Sequence, residues 1–126
     1  MTAVIVDDEK HCREVLVHLL RKHCSDVKVT ACCANGEEAM LALEKEPVDI
    51  VFLDIEMPGM NGLNATTIIR QRFPEVKVIV LSAHDDDAYV GKSVRAGAKG
   101  YILKSTTPEE LAAKIRAIHS GSEELM

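Results

Sequence analysis

Acidic, hydroxyl and lysine side chains stand at the ends of apolar runs in this 126-residue sequence. They are Asp7, Asp8, Asp54, Ser82 and Lys104. Three carboxylates in one pocket would repel one another, and Mg²⁺, a hard cation with oxygen ligands, would relieve that repulsion. A metal, a lysine and a hydroxyl together suit a phosphoryl group, and a carboxylate can accept one as an aspartyl phosphate. The residue types therefore predict a phosphoryl-transfer site with Asp54 as the acceptor.

Alternating strand and helix patterns are predicted to position these residues. The five apolar runs that indicate strands are Ala3–Val6, Val27–Cys33, Ile50–Leu53, Val76–Leu81 and Gly100–Leu103. Helices are indicated between and after them, with N-cap residues predicted at Asn35, Asn61 and Thr107. The segment from Asp85 to Ala96 has the weakest apolar stripe, little more than Val90 and Val94. The pattern predicts an α/β protein, a flavodoxin-like doubly wound (βα)5 sandwich with parallel sheet order 2-1-3-4-5.

This strand order brings the polar residues together. The carboxyl ends of parallel strands share one rim of the sheet, where such folds bind ligands. In the order 2-1-3-4-5 the third strand lies between the first and the fourth. Asp54 is therefore expected at the centre, with Asp7 and Asp8 on one side and Ser82 and Lys104 on the other.

Composition limits the classes of function. The net charge is −5 and no run of Lys or Arg occurs, which argues against direct binding to nucleic acid or to an anionic membrane. No apolar stretch approaches the ~20 residues of a spanning helix, and the chain enters a strand at once, so no signal peptide is expected. The four cysteines form no C-x-x-C pair, which favours reduced thiols and a cytoplasmic location. We assign residues 1–120 to one domain and residues 121–126 to a tail or the start of a linker.

Four segments resemble the receiver (CheY-like) domain of bacterial two-component response regulators. They are Ile5–Glu9, Leu53–Gly62, Leu81–Ala83 and Gly97–Lys104, and the resemblance covers essentially the whole chain. It implies that Asp54 takes a phosphoryl group from a phosphohistidine of a cognate histidine kinase. It also implies that Asp8, Asp54 and the backbone carbonyl of Glu56 hold Mg²⁺ directly, and that Asp7 holds it through water.

The resemblance further implies a switch. Ser82 would hydrogen-bond the phosphoryl oxygen, Lys104 would pair with it, and Tyr101 would turn inward as Ser82 moves. The output would be a change in the face made by the fourth helix, the fifth strand and the fifth helix. The alternative for Tyr101 is a half-buried strand aromatic. Glu56 and His84 are candidates for tuning loss of the phosphoryl group, with solvated loop residues as the alternative.

The output remains open at this point. Ser105 replaces the proline that many receivers carry after the lysine, so a cis Lys-Pro bond is absent. One part of the sequence looks like receivers that precede a helix-turn-helix DNA-binding domain (the NarL/FixJ type), and another like the LytR type. A stand-alone receiver acting by protein–protein binding, a phosphorelay intermediate and a phosphorylation-dependent homodimer are also open. An aspartyl-phosphate hydrolase is less favoured, because Glu56 stands where such enzymes carry a second Asp and no cap fits; the chain is therefore not expected to be an enzyme.

Overall fold

A computed structural model describes residues 1–56, 61–83 and 87–120. Strands and helices alternate from the first element to the last. In chain order they are β1 (Thr2–Val6), α1 (Lys10–His23), β2 (Lys28–Cys33), α2 (Gly36–Lys45), β3 (Ile50–Asp54), α3 (Gly62–Arg72), β4 (Lys77–Ser82), α4 (Asp87–Ala96), β5 (Gly100–Leu103) and α5 (Pro108–His119). The predicted succession of elements is confirmed, with boundaries that shift by one or two residues.

All strand pairs in the sheet are parallel, and the strand order is β2-β1-β3-β4-β5. The predicted fold class and strand order are therefore confirmed. Asp54 pairs with Leu81 and Ser82 pairs with Leu103, so the ends of β3, β4 and β5 lie in step. This register brings the polar residues at the strand ends to one rim.

Two apolar cores cover the two faces of the sheet. Val51 and Leu53 pack on one face with residues of α2 and α3. Ile50 and Phe52 pack on the other face with residues of α1 and α5. Because β3 buries side chains on both faces, it reads as a continuous apolar run, as expected of a central parallel strand.

The predicted helix starts agree with the structure. The side chains of Asn35, Asn61 and Thr107 each accept a backbone N–H three residues later, which satisfies one free donor of each helix. Helix α1 differs, because its N-cap Glu9 makes no side-chain cap. The helical spacing of apolar residues in α1 predicts a buried stripe of Cys12, Val15, Leu16, Leu19 and Leu20, and this prediction is partly wrong, since Val15 is 43% exposed.

Helix α4 buries few side chains, in line with its weak apolar stripe. Among its described side chains, Ser93 is buried, whereas Val94, predicted to face inward, is 45% exposed. The predicted helix start at Asp85 lies outside the described residues, and the described helix begins at Asp87. Gly97 ends the segment with φ 105°, a conformation that favours glycine.

None of the helices in the described part of the chain combines the length and the apolar character needed to cross a membrane.

Candidate phosphoacceptor and metal site

Three carboxylates converge at the carboxyl ends of β1 and β3. Asp54 is the last residue of β3 and is 5% exposed, and Asp7 follows β1 and is 6% exposed. Asp8 is exposed to solvent. One oxygen of each lies within 4.8 Å of the others. The structure thus brings together the three acids that the sequence singled out.

Lys104 faces two of these acids. Its Nζ lies 3.4 Å from Asp54 Oδ2 and 3.5 Å from Asp7 Oδ2. The sequence placed Lys104 on the side of Asp54 away from the acid pair, and the long side chain instead spans the pocket. Both distances exceed the 2.7–2.9 Å typical of charge-assisted hydrogen bonds. The ammonium group is therefore shared between the two carboxylates.

Backbone donors hold the other oxygen of each buried acid. Asp54 Oδ1 accepts the N–H of Glu56 at 3.1 Å, and Asp7 Oδ1 accepts the N–H of Glu9 at 2.9 Å. Each carboxylate is thereby oriented, with its second oxygen turned towards Lys104. The site residues are aligned by their own loops as well as by the sheet.

The electrostatics of the pocket favour a further positive charge. Burial raises the pKa of Asp54, and the Glu56 N–H and the Lys104 ammonium only partly offset this effect. Burial acts to lower the pKa of Lys104, but the charges of Asp54 and Asp7 outweigh it and the net pKa is raised. Lys104 therefore stays cationic. The cost of burying the negative charge of Asp54 is only partly offset by the hydrogen bond and the positive charge that the protein provides.

The donor set suits Mg²⁺. The carboxylates of Asp7, Asp8 and Asp54 offer oxygen only, which a hard cation prefers. A second grouping joins Asp7 and Glu9 to the thiol of Cys12. Burial and the neighbouring Asp7 charge raise the pKa of the Cys12 thiol, and soft sulfur suits a hard cation less well than oxygen does. The all-oxygen grouping is the better metal site.

Ser82 and Tyr101 lie in the adjoining strands. Ser82 is fully buried as the last residue of β4, and its carbonyl accepts the N–H of Lys104 at 2.7 Å. Tyr101 is 5% exposed and packs in the core on the α2–α3 face of the sheet. It is therefore buried, and the interpretation of a half-buried aromatic is wrong.

Glu56 and His84 are the two residues predicted to tune loss of the phosphoryl group. Glu56 is exposed, and its backbone N–H contacts Asp54. His84 lies outside the described residues, as do Pro58 and Gly59, which follow Asp54 in the sequence. Gly62 is described, and a Cβ atom on it would lie 2.5 Å from the backbone oxygen of Asp54. The start of α3 therefore packs directly against the backbone of Asp54.

Sequence reasoning missed one polar contact of the site. Arg13, in the second turn of α1, donates from Nη1 to the backbone oxygen of Asp7 at 2.6 Å. No local sequence pattern predicts this contact, because it depends on how α1 packs against the end of β1. Sequence reasoning also missed an apolar groove of about 300 Å³ beside the pocket, lined by Leu16, Leu103 and Lys104 among others.

Comparisons with known proteins identify the family. Residues 3–116 match the response regulator receiver domain. The chain is 38% identical over 118 residues to the transcriptional regulatory protein DegU of Brevibacillus brevis, covering 94% of this chain and 50% of that protein. It is 37% identical over 122 residues to the oxygen regulatory protein NreC of Staphylococcus haemolyticus, covering 96% of this chain and 56% of that protein. The chain thus spans about half the length of these curated relatives.

Solved structures agree with the sequence comparison. A two-component response regulator of the LuxR family from Aurantimonas sp. SI85-9A1 superimposes with a TM-score of 0.91 at 33% identity, over 99% of this chain and 88% of that one. A DNA-binding response regulator of the LuxR family from Staphylococcus aureus gives a TM-score of 0.85 at 33% identity, over 94% and 98% of the two chains. With its sheet order and its rim of acids, the chain belongs to the response regulator receiver domain family.

Proposed function

We propose that the domain is a phosphorylation-dependent switch whose acceptor is Asp54. The observation that carries this proposal is the grouping of three carboxylates within 4.8 Å, with a lysine ammonium 3.4 Å from the central one. Phosphoryl transfer needs a positioned nucleophile and concentrated positive charge, with little other help from the protein. Asp54 and Lys104 supply the first and part of the second.

Phosphoryl transfer to Asp54 replaces a phosphorus–nitrogen bond by a phosphorus–oxygen bond. An oxygen of Asp54 forms a bond to phosphorus as the bond from phosphorus to the imidazole nitrogen of a histidine kinase breaks, and the nitrogen keeps the electron pair. Lys104 stabilises the charge on the phosphoryl oxygens, because its ammonium already lies beside Asp54 Oδ2. The Glu56 N–H holds Asp54 Oδ1 and so presents the carboxylate in one orientation.

Mg²⁺ would complete the site by neutralising charge on the acids and on the incoming phosphoryl group. Asp8, Asp54 and the Glu56 backbone carbonyl are the proposed direct ligands, and Asp7 the ligand through water. The raised pKa of Asp54 supports this requirement, because the buried carboxylate lacks compensation from the protein alone.

The proposed readout runs through Lys104, Ser82 and Tyr101. Phosphorylation adds negative charge and acceptor oxygens to Asp54. Lys104 and the Ser82 hydroxyl would move to these oxygens, and the space vacated below α4 would change the packing of Tyr101. Tyr101 is already buried, so the switch would act on its position in the core. The output would be a population shift of the α4-β5-α5 face.

The proposed partners follow from the family. A cognate histidine kinase would donate the phosphoryl group, and the apolar groove beside the pocket, where Val15 is 43% exposed, offers this kinase a surface to bind.

The relatives include LuxR-family regulators, which supports a DNA-binding output domain of that kind and control of transcription. We infer a cytoplasmic location, and a homodimer formed on phosphorylation. The chain would act as a switch that loses its phosphoryl group by itself, and not as an enzyme with turnover.

Incubation with Mg²⁺ and acetyl phosphate tests the proposal. Intact mass should rise by one phosphoryl group in the wild type and not in Asp54→Asn. Asp49→Asn is the matched control, because Asp49 precedes the same strand and is exposed; it should be phosphorylated like the wild type. Equal labelling of Asp54→Asn, or no labelling of the wild type, would overturn the proposal.

A second measurement tests the roles proposed for Glu56 and His84. The lifetime of the phosphorylated form should change when each is replaced by Ala, because each is proposed to tune how water reaches the aspartyl phosphate. Unchanged lifetimes in both variants would show that these are ordinary solvated loop residues.

A further inference from the structure

Arg13 holds the backbone of the loop that carries two of the acids. Its Nη1 donates to the backbone oxygen of Asp7 at 2.6 Å, and its own backbone N–H donates to the oxygen of Glu9 at 3.1 Å. The backbone N–H of Asp7 donates to the oxygen of Cys33 at 3.0 Å. Both backbone groups of Asp7 are therefore tied, one to the sheet and the other to α1.

This contact bears on Asp8 as well as on Asp7. The oxygen of Asp7 and the N–H of Asp8 belong to one planar peptide group, so fixing that oxygen fixes the plane from which Asp8 projects. Within the described ranges, the Asp8 side chain makes no hydrogen bond or ion pair of its own. Its position therefore depends on the backbone that Arg13 holds.

We propose that Arg13 is a positioning residue for metal binding, which places the Asp7-Asp8 loop so that its carboxylates converge with that of Asp54. This inference rests on the proposed function, since it assigns a role towards the same Mg²⁺ site. Arg13 does not contact the phosphoryl group or the metal in this role. It acts on the site through the Asp7 carbonyl.

The direction of the change in Mg²⁺ affinity distinguishes a positioning role of Arg13 from a purely electrostatic one. A cation near a metal site repels Mg²⁺, so removing the charge of Arg13 would tighten Mg²⁺ binding if charge alone mattered. If Arg13 positions the loop, its removal loosens Asp8 and weakens binding. Residues that orient metal ligands commonly change affinity by tenfold or more when they are replaced.

Calorimetric titration of Mg²⁺ into the unphosphorylated protein tests this inference without any activity measurement. We expect Arg13→Met to raise the Kd for Mg²⁺ about tenfold. Arg13→Lys should fail to restore affinity, because a lysine keeps the charge but has a shorter reach towards the Asp7 oxygen. Arg21→Met is the matched control, since Arg21 is an exposed cation on the same helix, and its Kd should equal that of the wild type.

The outcomes distinguish the two proposals. If the wild type binds Mg²⁺ and Arg13→Met binds it equally or more tightly, the positioning role is wrong and the proposed function stands. If the wild type binds no Mg²⁺, the proposed metal-dependent function itself fails. Thermal unfolding of each variant checks that it is folded. Should Arg13→Met fail to fold, Arg13→Lys decides the question, and wild-type affinity in that variant would overturn the inference.

Discussion

Replacing Gly62 by alanine is expected to destabilise the domain and to displace Asp54. A Cβ atom there would lie 2.5 Å from the backbone oxygen of Asp54 and 2.5 Å from Cα of Ile55. Carbon atoms in contact normally lie about 3.5–4.0 Å apart, so the backbone has to move by about 1 Å. Overpacking of this kind costs about 3 kcal/mol, and the helix propensity of alanine returns at most about 1 kcal/mol. The net loss is about 2 kcal/mol.

Gly91 provides the matched comparison. A Cβ atom there would meet only the Arg95 side chain, at 3.6 Å from Nη1, which is an ordinary contact with a flexible group. Gly91 lies inside helix α4, where alanine is favoured by up to about 1 kcal/mol. Gly91→Ala is therefore expected to stabilise the domain, and Gly62→Ala to destabilise it.

Thermal unfolding followed by circular dichroism measures both effects. For a domain of this size, about 1 kcal/mol corresponds to a few degrees in the midpoint. Gly62→Ala should lower the midpoint by roughly 6–10 °C and Gly91→Ala should raise it by about 2–4 °C. Below the melting range, Gly62→Ala should also be phosphorylated more slowly, because Asp54 is displaced. A midpoint for Gly62→Ala at or above that of the wild type would refute the packing argument.

Three further outcomes follow from burial and charge. Because burial raises the pKa of Asp54, its ionised form destabilises the folded domain above that pKa. Asp54→Asn should therefore raise the unfolding temperature measured by calorimetry at pH 7 without divalent cations, and a lower unfolding temperature would contradict this. Hydrogen bonds from Thr2 lower the pKa of Asp49, so its stabilising effect is present above about pH 4 and is lost as pH falls further. Asp49→Ala should therefore melt below the wild type at pH 7, with a gap that narrows as the pH falls below about 4; a gap independent of pH would refute the linkage. Ile115→Ala removes a fully buried side chain and should cost about 3 kcal/mol in urea unfolding, whereas Leu41→Ala, at 59% exposure, should cost under about 0.5 kcal/mol.

The rim of the sheet was predictable from sequence because apolar runs end there in polar residues. Asp54 closes the buried run of β3, and Lys104 follows the run of β5, so each position is set by strand length alone. The strand order then brings them to one edge. These placements need only the alternation of elements and the handedness of their connections.

The contacts of long side chains were not predictable in this way. Lys104 spans the pocket to Asp7, and Arg13 reaches back from α1 to the carbonyl of the same residue. Such contacts depend on rotamers and on how a helix packs against the sheet, and neither leaves a periodic signal in the sequence. The exposure of Val15 has a similar origin, since periodicity gives the direction of an apolar face and not its width.

The charge of the site bears on how a switch could work. Within the described residues, the three grouped carboxylates outnumber the Lys104 ammonium that pairs with two of them, and Mg²⁺ would neutralise the excess negative charge. A phosphoryl group on Asp54 would add negative charge again, and Lys104 is placed to pair with it, because its Nζ lies 3.4 Å from Asp54 Oδ2. The backbone N–H of Lys104 donates a hydrogen bond to the carbonyl of Ser82. A shift of Lys104 towards the phosphoryl group would therefore pull on the end of β4. The same residue that balances the charge would then carry the signal into the sheet.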